Sequence, residues 1–321
     1  MTVVLILLAH GCPPQAIVAA FGLDERTVTA WLHRAGAHCA AVHGHLVEAG
    51  QVEGGQVQAD EIRVKVRGGV VWQAMTMDIG SRLWLGGVVS RARDGALVTR
   101  LLERVRACLA TRAILLCADG FVAYVGAARS VFRAPLSTGK RGRPRLALPD
   151  GFLLAQVVKS HKGRRLAEVT RRVVVGTEDA VARVIAATRG GTQINTASIE
   201  RLNATFRTHL SPLVRRGRGI AHGPALVESG MWLVGCAYNF CWVHESLRLR
   251  AIGGRKWLER TPAMTAGLTD HVWTLEGVLR YPVPPRARTG TSKPRRGRKR
   301  DHGCLIPFPA RPAPPSTGRA A

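Results

Sequence analysis

Apolar positions recur along this chain at two periods, and the changes from one to the other divide it. Over residues 3–10, 14–21 and 25–35 they fall three and four apart, the spacing of one helix face. Over 57–66, 70–79 and 82–90, β-branched and apolar residues alternate or run together. Gly68-Gly69 and Gly80-Ser81 lie between these runs, which predicts three antiparallel strands joined by tight turns. Helical spacing returns over 96–109, and the short apolar run 113–118 reads as a buried strand. Farther on come a helix near 123–128, strands at 156–159 and 169–175, and helices at 177–188, 195–210 and 225–245. From Pro282 onward Pro, Arg, Lys and Gly dominate, which predicts a disordered basic tail.

Three antiparallel strands, a crossover helix and a fourth strand match the opening of a ribonuclease-H-like fold. The expected class is therefore α/β, a mixed sheet flanked by helices and preceded by a small all-α helix-turn-helix domain. The expected boundaries are 1–38 for the helix-turn-helix, 39–55 for a linker, 56–281 for the α/β domain with a basic insertion at about 130–190, and 282–321 for the tail. Within the first segment, Gly22-Leu23-Asp24 makes a turn, Asp24 suits an N-cap and Gly36 reads as the helix stop. Ile17, Val18, Phe21, Leu23, Val28, Trp31 and Leu32 fall where a helix-turn-helix packs its core. Arg26, Thr27, Thr29, Ala30, His33 and Arg34 are left for a major groove. A plain helical hairpin is the other reading of the same pattern.

Charge gives the pattern a partner. The 321 residues carry 47 Lys and Arg against 21 Asp and Glu, a net charge of +26 spread along most of the chain. An excess so extended favours a polyanion over one small acidic ligand. Aromatic residues make up 5% of the chain, which argues against a base-stacking platform. The seven cysteines form no Cys-x-x-Cys pair and are odd in number, so neither a zinc ribbon nor a disulfide scaffold is expected. No phosphate-binding Gly-x-x-x-x-Gly-Lys-Ser/Thr occurs, so no nucleotide cofactor is expected, and His244-Glu245 lacks the second histidine of a zincin helix. Residues 3–9 are apolar but too short to span a bilayer, and they read as a first helix. The expected setting is cytoplasmic, with reduced thiols and no membrane partner.

Three acids stand out against this basic background. Asp60 lies in the first strand run, Asp119 at the end of the fourth, and Glu200 in the helical pattern 195–210. Strand alternation turns Asp60 and Glu61 to opposite faces, so one of the two is expected to face a metal. Carboxylates at strand ends in a strongly basic protein suggest Mg²⁺ chemistry on nucleic acid, because hard oxygen ligands suit Mg²⁺.

The segment Ile194 to Arg207, centred on Ser198-Ile199-Glu200-Arg201-Leu202-Asn203, resembles the terminal-glutamate motif of bacterial insertion-sequence DDE transposases, most closely those of the insertion-sequence-one type. Tyr238-Asn239-Phe240, His244-Glu245-Ser246-Leu247 and Arg260-Thr261-Pro262-Ala263-Met264 resemble that family's downstream segment, so the likeness covers roughly residues 10–285. The N-terminus departs from the family, whose members usually carry a Cys-rich zinc-binding segment ahead of the helix-turn-helix, and it reads as a shortened copy.

The resemblance implies a two-metal site held by Asp60, Asp119 and Glu200, taking Mg²⁺ or Mn²⁺. It also implies cleavage of element ends and joining of a 3′-OH to target DNA, by a homo-oligomer assembled on double-stranded DNA at the nucleoid. Asn203 and Arg207 lie one and two turns after Glu200 and are placed to contact phosphate, with a structural role open for Asn203. Arg141-Gly142-Arg143-Pro144 resembles an AT-hook core, or is a solvated basic loop. Arg215, Arg216 and Arg218 follow the glutamate helix and would hold DNA near the metals, while the tail would add nonspecific phosphate contacts. A non-catalytic DNA-binding regulator and a structure-selective nuclease are the alternatives.

Overall fold

The computed structural model describes residues 1–136, 143–163, 165–213, 220–251 and 256–285. Three helices precede the sheet: α1 (Thr2–Ala9), α2 (Pro14–Phe21) and α3 (Glu25–His43). The strands β1 (Gln56–Val66), β2 (Gly69–Asp78) and β3 (Trp84–Ser90) follow, then α4 (Gly95–Cys108), β4 (Leu115–Asp119) and α5 (Ala123–Phe132). β5 (Ala134–Leu136) and β6 (Arg145–Ala147) pair only with each other. β7 (Leu153–Lys162) and β8 (Arg165–Val175) extend the main sheet, and α6 (Glu178–Thr188), α7 (Ala197–His209) and α8 (Pro224–Cys236) come after them.

The main sheet has six strands in the order β3-β2-β1-β4-β7-β8. β1, β2 and β3 form an antiparallel meander, β1 and β7 pair in parallel with β4, and β8 returns antiparallel to β7. A parallel pair needs a crossover, and α4 supplies it. Asp94 caps that helix by accepting from Leu97 N, and Leu97, Val98, Leu101, Leu102 and Val105 form its buried stripe. The face carrying Gln58, Cys117 and Ala155 is covered by α6, α7 and α8; α4 and α5 cover the other. This is an α/β mixed sheet flanked by helices, compatible with a ribonuclease-H-like fold. The segment at about 130–190, expected as an insertion, is partly built into that sheet, because β7 sits between β4 and β8.

Gly36 does not end α3 as expected; the helix runs on to His43 and into a π-turn at Gly44–Glu48. A Cβ at position 36 would lie 2.5 Å from Ser229 Cα on α8, so this glycine lets two helices approach closely. The boundary expected at residue 38 thus falls inside a helix, and Met1–Pro284 form one compact unit. The helix expected over 225–245 also ends early: α8 stops at Cys236 and a π-turn, Ala237–Cys241, takes over. That turn aims the buried Asn239 at the edge strand, where its amide accepts from Trp84 N and donates to Trp84 O, both at 2.9 Å. Trp84 is fully buried against Trp232, His43 and Phe206. The six described cysteines are free thiols. Among the described residues, no helix is long and apolar enough to cross a membrane.

The contact at Gly36 is testable. Gly36→Val is expected to cost about 1–3 kcal/mol through overpacking, read as a lower urea midpoint at unchanged slope. A midpoint that rises would show that the two helices do not meet there.

Candidate metal centre

The last ladder pair between β1 and β4 is Ala59↔Ala118, so Asp60 and Asp119 follow side by side where β4 ends and β1 runs on without it. Asp119 itself pairs with Val157 of β7. Asp60, Glu61 and Asp119 each offer a carboxylate oxygen, and these oxygens lie within 4.8 Å of one another, the single such group among the described residues. Alternation does send Glu61 to the opposite face, where the Tyr124 hydroxyl of α5 donates to it. It still reaches the group because β4 stops at Asp119 while β1 runs on, so no strand separates the two faces there.

Glu200 lines the same cleft, an open space of about 500 Å³ whose walls include Asp60, Arg93, Asp119, Lys159 and Thr196. Its carboxylate stands apart from the other three and accepts from Lys159 Nζ at 2.6 Å and Thr196 Oγ1 at 3.1 Å. Its helix is pinned to β1 at two points two residues apart on one strand face. Gln58 Oε1 accepts from Ser198 N and Ile199 N at the start of α7, and Asn203 Nδ2 donates to Asp60 Oδ2 at 2.7 Å. Arg82 adds a third tie, donating to Ser198 Oγ at 2.6 Å. On the other side, Gln156 Nε2 donates to the carbonyls of Asp119 and Phe121, fixing the turn that follows β4.

Like charges crowd this site. Burial pushes the Asp60 carboxyl up from 3.8 to about 6, its hydrogen bond from Glu61 N opposes this, and the charges of Glu61, Asp119 and Glu200 add to it. Burial likewise raises Glu61, against the hydrogen bonds from Tyr124 and Arg93. Arg93 is the cation among these acids. Its guanidinium reaches Glu61 Oε2 at 2.8 Å and Asp119 Oδ2 at 2.7 Å, while resting 4.3 Å from the centre of the Phe121 ring. The donor set is all oxygen and carries more negative charge than Arg93 balances. Both properties fit a hard divalent cation.

Asp60, within β1, and Asp119, at the end of β4, are brought together by the pairing of their strands, and Glu200 joins their cleft. Glu61, Arg93, Tyr124 and Lys159 were not singled out as functional: alternation argued against Glu61, and the others come from elements with no motif of their own. Asn203 is spent on Asp60 rather than on phosphate, being 1% exposed. Arg207 is half-buried on the same helix, and Arg143 is exposed. The expected recognition face of α3 shifts: His33 Nδ1 and Ser229 Oγ share a hydrogen bond of 2.8 Å, and Thr29 is half-buried beside Pro212 and Leu226. Both turn toward α8, which leaves Arg26, Ala30 and Arg34 exposed on the helix. Arg141, Arg215, Arg216, Arg218 and residues 286–321 of the basic tail lie outside the described residues. No protein-family model matches the chain, and no curated protein matches it significantly.

Two measurements follow from the crowded charge. The folded chain holds the Asp60 proton more tightly than the unfolded chain does. Stability from this group is therefore greatest below about pH 4 and declines as pH rises toward 6. In chelator, Asp60→Asn should be more stable than the native chain at neutral pH by about 2–3 kcal/mol, with the gap closing toward pH 4. A gap constant across pH would contradict the assigned shift. A divalent cation should instead favour the native chain, by about 2.7 kcal/mol at a hundredfold excess over its Kd. The same cation should leave the melting temperature of an Asp60→Asn, Asp119→Asn double variant unmoved.

Proposed function

We propose that this chain is a metal-dependent DNA strand-transfer enzyme of the insertion-sequence transposase type. It would cut element ends and join the freed 3′-OH to target DNA. The observation that carries this reading is the convergence of Asp60, Glu61 and Asp119 on the two central strands where β4 ends, with Glu200 lining the same cleft. A net charge of +26 on a chain that also holds an acidic cleft supports a polyanionic substrate. The resemblance of the segment around Glu200 to the transposase motif supports DNA as that substrate, handled by several copies assembled on it at the nucleoid.

Asp60, Glu61 and Asp119 are the residues that would hold the ion, with Glu200 available from α7. Bound Mg²⁺, or Mn²⁺, would supply a deprotonated oxygen nucleophile and stabilise charge on the leaving 3′-oxygen. The chain's own contribution is placement. Gln58 and Asn203 keep α7 and β1 in one register, and Gln156 holds the Asp119 turn. Arg93 offsets the charge of Glu61 and Asp119, and its planar fork suits a phosphate as well as a carboxylate. Lys159 holds Glu200 at the cleft wall and adds a second cation where a phosphodiester would enter. The open cleft suits a long substrate better than an enclosed small one.

The test is incubation of the full chain with DNA carrying its genomic flanks and Mg²⁺. Cleaved and joined products are expected. Asp60→Asn, Asp119→Asn and Glu200→Gln should each abolish both reactions while DNA binding persists, because these charges hold metal rather than DNA. Cutting without joining would identify a nuclease, and binding without either would identify a regulator. Near-normal strand transfer by Asp119→Asn would overturn the site assignment.

A further inference from the structure

β7 and β8 continue past the end of the sheet. The last pair between β4 and β7 is Asp119↔Val157, whereas β7 and β8 remain paired from Val158↔Thr170 out to Lys162↔Arg165. Beyond Val157 each strand has only the other as a neighbour. Five residues at about 3.3 Å each make a two-stranded ribbon roughly 17 Å long. It starts at the wall of the acidic cleft, to which Val157, Val158 and Lys159 belong.

This ribbon is unusual for what it leaves uncovered. Nearly all of its described side chains are exposed, with Val158 and Val169 half-buried at its base. Its described residues include the cations Lys159, Lys162 and Arg165 and a single acid, Glu168, and Arg171 and Arg172 follow on β8 just below its base. Lys159 is engaged by Glu200, Arg171 donates to Ile194 O, and Arg172 donates to Gln156 Oε1. Lys162 and Arg165 at the tip have no acidic partner among the described residues, and they stand directly opposite each other across the strand pair. Like charges opposed in this way are destabilising, so the folded chain alone gives no reason for them. A polyanion does.

We infer that this ribbon is a binding element for double-stranded DNA, seated in a groove beside the cleft; the inference rests on the reading of the cleft as a DNA-processing site. The major groove, about 12 Å wide, admits a two-stranded ribbon. The tip cations would then lie along the phosphates that flank it. Free cations on an exposed ribbon position the duplex without reading its sequence. Lys159 at the base links the two sites, since its ammonium sits between the ribbon and Glu200.

The experiment compares the full native chain with a Lys162→Thr, Arg165→Thr double variant on a random-sequence duplex of about three turns, between about 50 and 200 mM salt. Threonine keeps the β propensity of the ribbon, and matching melting temperatures verify the fold. The slope of log affinity against log salt should be shallower by about 2 in the variant, at about 0.9 per lost phosphate contact. Affinity should fall alike for every sequence, and Arg165→Glu alone should lower it further than Arg165→Thr. If the native chain binds DNA and the double variant keeps the native slope, the ribbon inference fails while the DNA reading stands. If the native chain binds no duplex even at low salt, the underlying reading fails and takes the ribbon with it. Competition by polyglutamate that the double variant escapes, at an unchanged DNA slope, would assign the ribbon to an acidic protein and overturn the inference.

Discussion

The pairing of β1 with β4 is the constraint on which the site depends. Two parallel strands whose mutual pairing ends at Ala59 and Ala118 deliver their next residues to the same place, and in this chain both are aspartates. Their mutual repulsion in a partly dry environment has to be offset within the fold. The backbone N–H of Glu61 donates to Asp60 and that of Phe121 to Asp119, while Asn203 and Arg93 supply side-chain donors. The crossover that parallel pairing demands also delivers the cation, because Arg93 directly precedes Asp94, the cap of α4. Topology and electrostatics are therefore solved by adjacent residues in one turn.

What was legible in the chain was what repeats. The alternation over β1 to β3 and the apolar stripe of α4 located four elements, and the acids standing in the first strand run and at the end of the fourth located Asp60 and Asp119. Glu61 was placed on the correct face and yet misjudged, because alternation describes a strand within a sheet and not one that outlives its neighbour. Arg93, Tyr124 and Lys159 depend on contacts between elements distant in sequence, for which a single chain carries no periodic trace. Gly36 and His33 were misread for a related reason. A glycine after a helical pattern and a polar residue on a helix face look the same whether the neighbour is solvent or α8.

The segment around Asn239 shows how a motif can act through the scaffold. β3 is an edge strand, and an open edge invites pairing with other chains. The Asn239 amide meets both backbone groups of Trp84, standing in for a strand at that point. Gly235 makes room for the Trp84 ring, since a Cβ there would lie 2.0 Å from it. The π-turn after α8 thus covers the start of the β3 edge at Trp84, while β8 is the edge at the other side.

The two ties between β1 and α7 bear on how such a chain can change over generations. Gln58 and Asn203 tie Asp60 to the glutamate helix directly, from strand to helix. Within the intervening stretch the body of β7 is fixed by its pairing with β4, but the hairpin beyond Val157 is free to lengthen or shorten, since loop closure grows costlier only slowly with length. Position along the chain is then a poor guide to the site, and the pair of amides a better one. Related chains could gain or lose a projecting ribbon there as a replaceable part, keeping the same chemistry while changing what they hold.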